Sequence, residues 1–413
     1  MTTLAHPQTR RVETGTLAAL HYHNFRLYFF GQVISLSGTW MQVIAQGWLV
    51  FHLTQSELWL GIVACAAGLP SLLLSPFAGV VVDRYPRRRI LIVSQTAQML
   101  LAFTLAALTF ANIVQPYHIV VLAFLLGVTN AIDAPSRQSI IVDLVGHKDL
   151  SSGIALNAIM FNASRIVGPA VAGIMLNQVG PAWCFAFNGA SFLAVIAMLI
   201  IMRVEFTPRT NMLSPLRRLQ EGLQFSRRHP TIAPLLLLAV TAAIFISNIS
   251  TMLPAFADLV LNSPVDGFAA MSTALGAGAL VAAISVTPLG RRYGRGRVVM
   301  TMSGFVTTIG LIVTRMTQIT PAVGLMSLFG FGIILQFVTV NTLIQDQVPD
   351  EFRGRVMSLY TLAWFGFAPF GALALGFIAG LVGTADAMAL FTLVGGSISM
   401  TILWRSRAVR QLL

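Results

Sequence analysis

Apolar stretches of about 20 residues, long enough to cross a hydrocarbon layer as helices, recur along this chain with little between them. They fall at 27–53, 58–82, 90–111, 118–141, 151–178, 182–203, 232–260, 267–289, 298–316, 321–345, 355–382 and 385–404. Inside a bilayer the backbone finds no water, so each run must satisfy its own polar groups as a helix. The pattern predicts an all-α integral membrane protein with twelve transmembrane helices. It excludes a chain of soluble domains: 56% of the residues are hydrophobic and 10% are charged, against about 25% charged in ordinary soluble proteins. The first run is too long for a cleaved leader and reads as a retained helix.

The charges lie between the runs. An even number of spans puts both termini on one side. Of the 26 Lys and Arg residues, 24 fall in the tails and loops of that side, while Arg315 lies at an opposite end and Arg165 within a helix. By the positive-inside rule the chain is a multi-pass protein of the cytoplasmic membrane with both termini cytoplasmic. The net charge of +12 does not point to nucleic acid, because no basic domain stands apart from the short loops. The longest loop divides the chain. Residues 1–26 form a cytoplasmic tail, 27–203 a six-helix bundle, 204–231 a cytoplasmic linker, 232–404 a second six-helix bundle and 405–413 a second tail. In the linker, Ser214–Pro215 opens a helix with proline at its first position. Leu216, Leu219 and Leu223 share a face, with Arg217, Arg218, Arg227 and Arg228 around them. This reads equally as a short helix on the inner membrane surface or as a flexible linker.

Several chemistries are disfavoured. Lys148 is the sole lysine and follows His147, so there is no Gly-Lys-Ser/Thr phosphate loop and no sign of an enzyme or ATP-driven pump. The seven histidines lie at helix ends and loops, and His21-x-His23 is a weak metal pair in a solvated tail. Cys65 and Cys184 sit in apolar runs as small buried hydrophobes, without disulfide or metal spacing. No cofactor is expected, and the partners are the lipid bilayer, a small molecule and protons, acting on a monomer.

Polar groups inside the spans carry the functional signal. In the first run Gln32, Ser35, Thr39, Gln42 and Gln46 share one helical face, which must meet protein or water rather than lipid. It reads either as interhelical hydrogen bonding or as the wall of a substrate cavity, with Trp40 beside it. The seventh run carries Thr241, Asn248, Thr251 and Asp258 at helical spacing, interrupted by Pro254, and the tenth carries Gln336 and Asn341. Asp133 lies ten residues from Asp143, roughly 15 Å deep at about 1.5 Å per residue. Arg165 lies roughly 20 Å from the start of the fifth run by the same rise. A charge there costs at least about 2.5–3.5 kcal/mol, so it must be paired or wet. An Asp133–Arg165 ion pair and a proton or substrate site are the two readings, with Asp133 as first choice for a proton carrier.

The loop after the second run reads as a short, tight turn: Gly79–Val80–Val81–Val82–Asp83–Arg84–Tyr85–Pro86–Arg87–Arg88–Arg89. A partial copy, Gly290–Arg291–Arg292–Tyr293–Gly294–Arg295, follows the eighth run without the acid. Asp143–Leu144–Val145–Gly146 after the fourth run is echoed by Asp346–Gln347–Val348–Pro349 after the tenth. Paired halves with matching inner loops fit a transporter architecture. The fifth run contains Gly168–Pro169 followed by Gly173, where small residues permit close helix approach.

With Gly38–Thr39–Trp40–Met41–Gln42, Ala134–Pro135, Ala155–Leu156–Asn157 and Arg353–Gly354–Arg355–Val356, these motifs make the whole chain resemble a major facilitator superfamily exporter. The resemblance is to the transmembrane secretion effector group, which includes enterobactin-exporter-like and macrolide-efflux-like proteins. Pro86 and the missing second acid depart from the pattern. The resemblance implies the major facilitator fold and export of an amphipathic small organic molecule, such as a siderophore, drug or antibiotic, in exchange for protons. It implies alternating access around a cavity lined by helices one, four, seven and ten. Gly79, Asp83, Arg84, Arg87, Asp143, Gly168, Pro169, Gly173 and Gly354 would serve gating. Asp83 would face the N-terminus of the eleventh span near Gly354, and Arg87 would pair with Asp143, both locking an outward-facing state. A facilitator-type importer or uniporter of a small metabolite would share the fold and inner loops. A structural or sensory membrane protein would need neither Asp133 nor Arg165.

Overall fold

The computed structural model describes residues 17–202 and 215–410. The expected tail up to residue 16, the linker stretch 203–214 and residues 411–413 lie outside the described residues. The described residues are helical throughout and contain no strand. After a short turn at Ala18–His21 come α1 (His23–Thr54), α2 (Glu57–Arg84), α3 (Arg87–Phe110), α4 (Pro116–Val145), α5 (Leu150–Gln178) and α6 (Pro181–Ile201). Then follow α7 (Pro215–Arg228), α8 (Ile232–Leu259), α9 (Asp266–Tyr293), α10 (Arg295–Val313), α11 (Ile319–Gln347), α12 (Asp350–Val382) and α13 (Thr384–Arg405).

Among the described residues, 11 helices are long and apolar enough to cross a membrane. The twelfth expected span, α1, is not one of them by that measure. Its length of 32 residues suffices, but Gln32, Gln42 and Gln46 lower its hydropathy, and it packs in the middle of α4, α5 and α6.

Local chemistry explains the helix ends and breaks. The presumed turn at 79–89 is mostly helix, since α2 continues through Asp83 to Arg84. Nothing stops it before Pro86, which drives Tyr85 to an extended ψ of 151° by clashing with the residue before it. Pro86 then precedes α3. In α8 the regular ladder gives way to a wider turn at Ala242–Ile246 and a tighter one at Ser247–Met252, ahead of Pro254. Asn248 Nδ2 donates to the carbonyls of Ala243 (2.7 Å) and Ile244 (3.0 Å) that this break frees. A similar wide turn at Leu362–Gly366 precedes Pro369 in α12. The proline ring cannot coexist with a regular carbonyl four residues earlier.

The packing pattern of the first six helices recurs later in the chain. The pairs α2–α4, α3–α6 and α3–α4 correspond to α9–α11, α10–α13 and α10–α11. Contacts between the two groups are equally matched, α2 on α12 and α5 on α9. Burial divides the molecule along its axis. At the face carrying residues 17 and 410 there are two separate apolar cores. One is built from Ala19, Tyr28, Leu91, Ile140 and Leu199, the other from Ile232, Val299, Ile344, Tyr360 and Val409. Toward the opposite face a single core joins both groups, with Leu49, Phe185, Phe256, Met271 and Phe391 in one cluster. The molecule is closed at the far face and split at the terminal face.

The amphipathic segment after residue 214 is helical. It docks on the start of α12, where Phe225 stacks on Phe352 at 4.5 Å and Glu221 Oε2 lies 3.1 Å from Arg355 Nη1. Gly222 admits the Arg355 backbone. The packed face is therefore Gly222, Phe225 and Ser226, while Leu223 of the expected apolar face is exposed.

Candidate functional site

A cavity of about 340 Å³ lies where the shared core ends. The polar stripe of α1 supplies Thr39, Gln42 and Gln46, and α8 supplies Ser250 and Thr251 beside Pro254. Arg165 and Pro169 enter from α5 and Ser272 from α9. Much of the remaining wall is apolar, including Val43, Val63, Leu126, Phe268 and Leu275.

The cavity's aromatic corner is tightly specified. The Arg165 guanidinium carbon lies 5.4 Å from the centroid of the Trp40 ring, within the range of a cation–π contact. Phe161, one turn from Arg165, holds the Trp40 ring edge-on at 5.8 Å. Gly168 lets α1 approach α5 here, because a Cβ at that position would stand 2.5 Å from Trp40 Cβ. Opposite, Asn188 Nδ2 donates to Gln42 Oε1 at 2.6 Å, which fixes that amide in the wall.

Behind the cavity runs a second polar system. Gln98, which lines the cavity, donates from Nε2 to Asn130 Oδ1 at 3.2 Å. One turn further, Ser94 Oγ (2.7 Å) and Gln95 Nε2 (2.9 Å) both donate to Asp133 Oδ1. Arg137 Nε stands 2.7 Å from Asp133 Oδ2 as an ion pair without hydrogen-bond alignment. Asp133 is 0% exposed, and Tyr28 lies within electrostatic reach of both charges. Seven buried side-chain polar atoms among the described residues have no hydrogen-bond partner, and five belong to Tyr28, Gln32, Gln95 and Asp133.

This arrangement corrects several expectations. Asp133 pairs with Arg137, not Arg165. Arg137, counted above with the charges of the inner loop, lies inside α4, which runs to Val145. It is one turn from Asp133 on the same face. Thr39, Trp40, Gln42, Gln46, Thr251, Arg165 and Pro169 converge on the cavity. Gln32 is buried away from it. Asn248 is spent on the α8 break. Gln336 Nε2 donates to Ser303 Oγ of α10 at 2.9 Å, and Asn341 Oδ1 accepts from Gln345 at 2.5 Å. The tenth span, α11, supplies no described lining residue, and the fourth supplies only Leu126. Gln98, Asn188, Ser250 and Ser272 were missed. Ser94, Gln95 and Gln98 form the kind of stripe read in α1, so the same test applied to α3 would have found them.

The residues expected to serve gating fall at different places. Arg87 Nη1 holds both oxygens of Asp143, at 2.5 and 2.6 Å. The pair joins the start of α3 to the end of α4, inside one group of helices, so it does not itself bridge the two groups. Arg295 and Asp346 repeat it at the start of α10 and the end of α11. Asp83 makes no described contact with the start of α12. Gly79 and Gly354 both open on space, with nothing within 4 Å of an added Cβ. Gly173 abuts Ala269 of α9, where a Cβ would lie 2.6 Å away.

A family model described as transmembrane secretion effector matches residues 14–408. The staphyloferrin A transporter of Staphylococcus aureus is 23% identical over 89% of this chain and 93% of its own length. The multidrug efflux pump Tap of Mycolicibacterium fortuitum is 26% identical over 91% of this chain and 94% of its own. Macrolide efflux protein A of Streptococcus pyogenes is 22% identical over 82% and 86%. Among solved structures, the nucleoside transporter NupG superposes with a TM-score of 0.75 at 12% identity, covering 94% of this chain and 99% of that one. That likeness speaks for the fold, which is the major facilitator fold of multi-pass membrane transporters.

Proposed function

Because this chain belongs to the transmembrane secretion effector family, we propose that it exports an amphipathic small organic molecule across the cytoplasmic membrane in exchange for protons. The relatives named above are a staphyloferrin A transporter, a multidrug efflux pump and a macrolide efflux protein. The moving parts are two six-helix bundles, 27–203 and 232–404. The termini are cytoplasmic, in keeping with the placement of 24 of the 26 basic residues.

One observation carries this reading. The two groups of helices share a core at the far face and have separate cores at the terminal face, with a cavity between. That is the form an inward-open carrier takes. Rocking the bundles about the cavity would split the shared core and bring α2 toward the start of α12, where Asp83 would meet the positive end of a helix. The Arg87–Asp143 and Arg295–Asp346 pairs keep each bundle rigid during that motion.

Asp133 is the proton carrier in this mechanism. Its carboxylate accepts from Ser94 and Gln95, one turn along α3 from the cavity-lining Gln98, and it faces Arg137 on the terminal side. Protonation would weaken the pair with Arg137 and return it when the proton leaves.

The test is efflux of a compound panel from a strain lacking its own exporters. Expression should lower accumulation of at least one amphipathic compound, and a protonophore should abolish the difference. Efflux that persists without a proton gradient would refute the coupling, and no efflux of any compound would refute the export reading.

A further inference from the structure

Arg165 is the one charged side chain among the described residues lining the cavity. No hydrogen bond or ion pair to it is described, and its contact is the face of Trp40. The deep acid that was expected to neutralise it is engaged elsewhere, by Arg137, Ser94 and Gln95. A planar guanidinium stacked on an aromatic ring keeps its in-plane donors available. A cation lodged in a largely apolar interior without a counter-charge is costly, and an anion brought in by a ligand recovers that cost.

Resting on the export reading, we infer that the transported molecule is an organic anion whose carboxylate is clamped by Arg165. Its body is apolar, because Val43, Val63, Leu126, Phe268 and Leu275 supply much of the wall. Thr251 and Gln46 offer uncharged hydrogen bonds to further polar groups. A volume of about 340 Å³ is at the small end of ligand pockets, which fits one or two rings in this state. No acidic side chain is among the described lining residues, so a cationic amphiphile would meet Arg165 without compensation.

The experiment uses the full chain in lipid nanodiscs with three probes of one shape: 2-naphthoate, 2-naphthamide and 2-naphthylmethylammonium. Equilibrium binding of tritiated 2-naphthoate is measured directly and in competition. The carboxylate should bind at least about tenfold tighter than the amide, as a charge-assisted bidentate contact requires. Arg165→Met should remove that preference, so that carboxylate and amide bind alike, and Arg165→Lys should keep part of it. Should Arg165→Met fail to fold, Gln46→Glu puts a carboxylate on the wall at constant volume. It should weaken naphthoate binding and strengthen ammonium binding. Equal or tighter binding of the amide or the ammonium overturns the inference, as does unchanged naphthoate affinity in Arg165→Met. Absence of saturable naphthoate binding overturns it too. The binding needs neither gradient nor transport. A charge preference without proton-driven efflux would leave the anion site standing and refute the export reading alone.

Discussion

Glu57 and Asp266 are the first residues of α2 and α9, and each accepts a hydrogen bond from the other group of helices. Thr384 Oγ1 at the start of α13 donates to Glu57 Oε1 at 2.7 Å, and Asn177 Nδ2 at the end of α5 donates to Asp266 Oδ1 at 2.5 Å. Since α2 and α9 occupy matching positions in the repeated packing, the far face is closed by two related acid contacts. They differ in setting, with Glu57 buried and Asp266 exposed.

That difference predicts unequal latches. A hydrogen bond to a charged group contributes about 1.5–3 kcal/mol when shielded, against about 1 for a neutral one. Glu57→Gln should therefore open the far face roughly five- to tenfold more often, while Asp266→Asn should change it less than about twofold, since water screens an exposed contact. A single cysteine replacing Ser250 in the cavity, with Cys65 and Cys184 removed, reports this as the labelling rate by an impermeant maleimide added outside. Equal rates in the two variants would exclude Glu57 as the dominant latch.

The two intra-bundle arginine–aspartate pairs predict another contrast. Side-chain exposures are 7% and 18% for Arg87 and Asp143, but 42% and 44% for Arg295 and Asp346. Removing one partner of a buried pair costs more than removing one of an exposed pair, so Asp143→Asn should cost about 3 kcal/mol. The loss is held to that size because the Ser139 carbonyl, 3.4 Å from Arg87 Nη1, still accepts. Asp346→Asn should cost less than about 1 kcal/mol. Thermal unfolding in detergent measures both, and similar midpoints would show that burial does not govern these pairs.

The helices, their order and the charged ends were legible in the sequence because hydrophobic length and charge placement are local properties. The stripe Thr39, Gln42, Gln46 was legible for the same reason, since a polar face in an apolar helix must turn inward. The partner of Asp133 was not legible. Arg137 sits one turn from Asp133 near the inner end of α4, where a basic residue reads as one of the positive charges of the inner loop, and only the fold shows its guanidinium turned back onto the carboxylate. Asn248 and Gln336 were misread because a buried amide can line a cavity, cap a break in its own helix or bond a neighbouring helix. Spacing along one helix cannot tell these apart, whereas the Ala243 carbonyl and the Ser303 hydroxyl do.

Asp133→Asn keeps the shape of the side chain but cannot release a proton. Ser94 and Gln95 can still donate to the amide oxygen, so folding should survive, while Arg137 loses its counter-charge. In proteoliposomes loaded with substrate, substrate movement driven by a pH step should fall to background, and substrate–substrate exchange should persist. Proton-driven movement at the wild-type rate would remove Asp133 from the coupling path.

Asp83 has no described contact with the start of α12 in the split-face form, so the proposed latch would form only in the opposite state. Asp83→Asn should abolish transport while leaving the melting midpoint within about 1 °C, because a surface substitution changes stability by under about 0.5 kcal/mol. Wild-type transport in this variant would end the case for a latch between α2 and the N-terminus of α12.

Gly79 and Gly168 are both small residues of the motifs expected to serve gating, yet their surroundings predict opposite outcomes. Gly79 lies inside α2 with nothing within 4 Å of an added Cβ. Gly79→Ala should therefore gain about 0.5–1 kcal/mol from lower backbone entropy in the unfolded chain. At Gly168 the added methyl would stand 2.5 Å from Trp40 Cβ and 2.8 Å from the Ser37 carbonyl oxygen. Neither atom is the end of a flexible side chain, so α1 must move away from α5. Overpacking of this kind costs about 1–3 kcal/mol. It should also separate the Trp40 ring from Arg165, so binding of 2-naphthoate should weaken along with stability. A Gly168→Ala variant that melts like the wild type and binds naphthoate with unchanged affinity would mean that α1 and α5 are not held at the distance on which the cavity's aromatic corner depends.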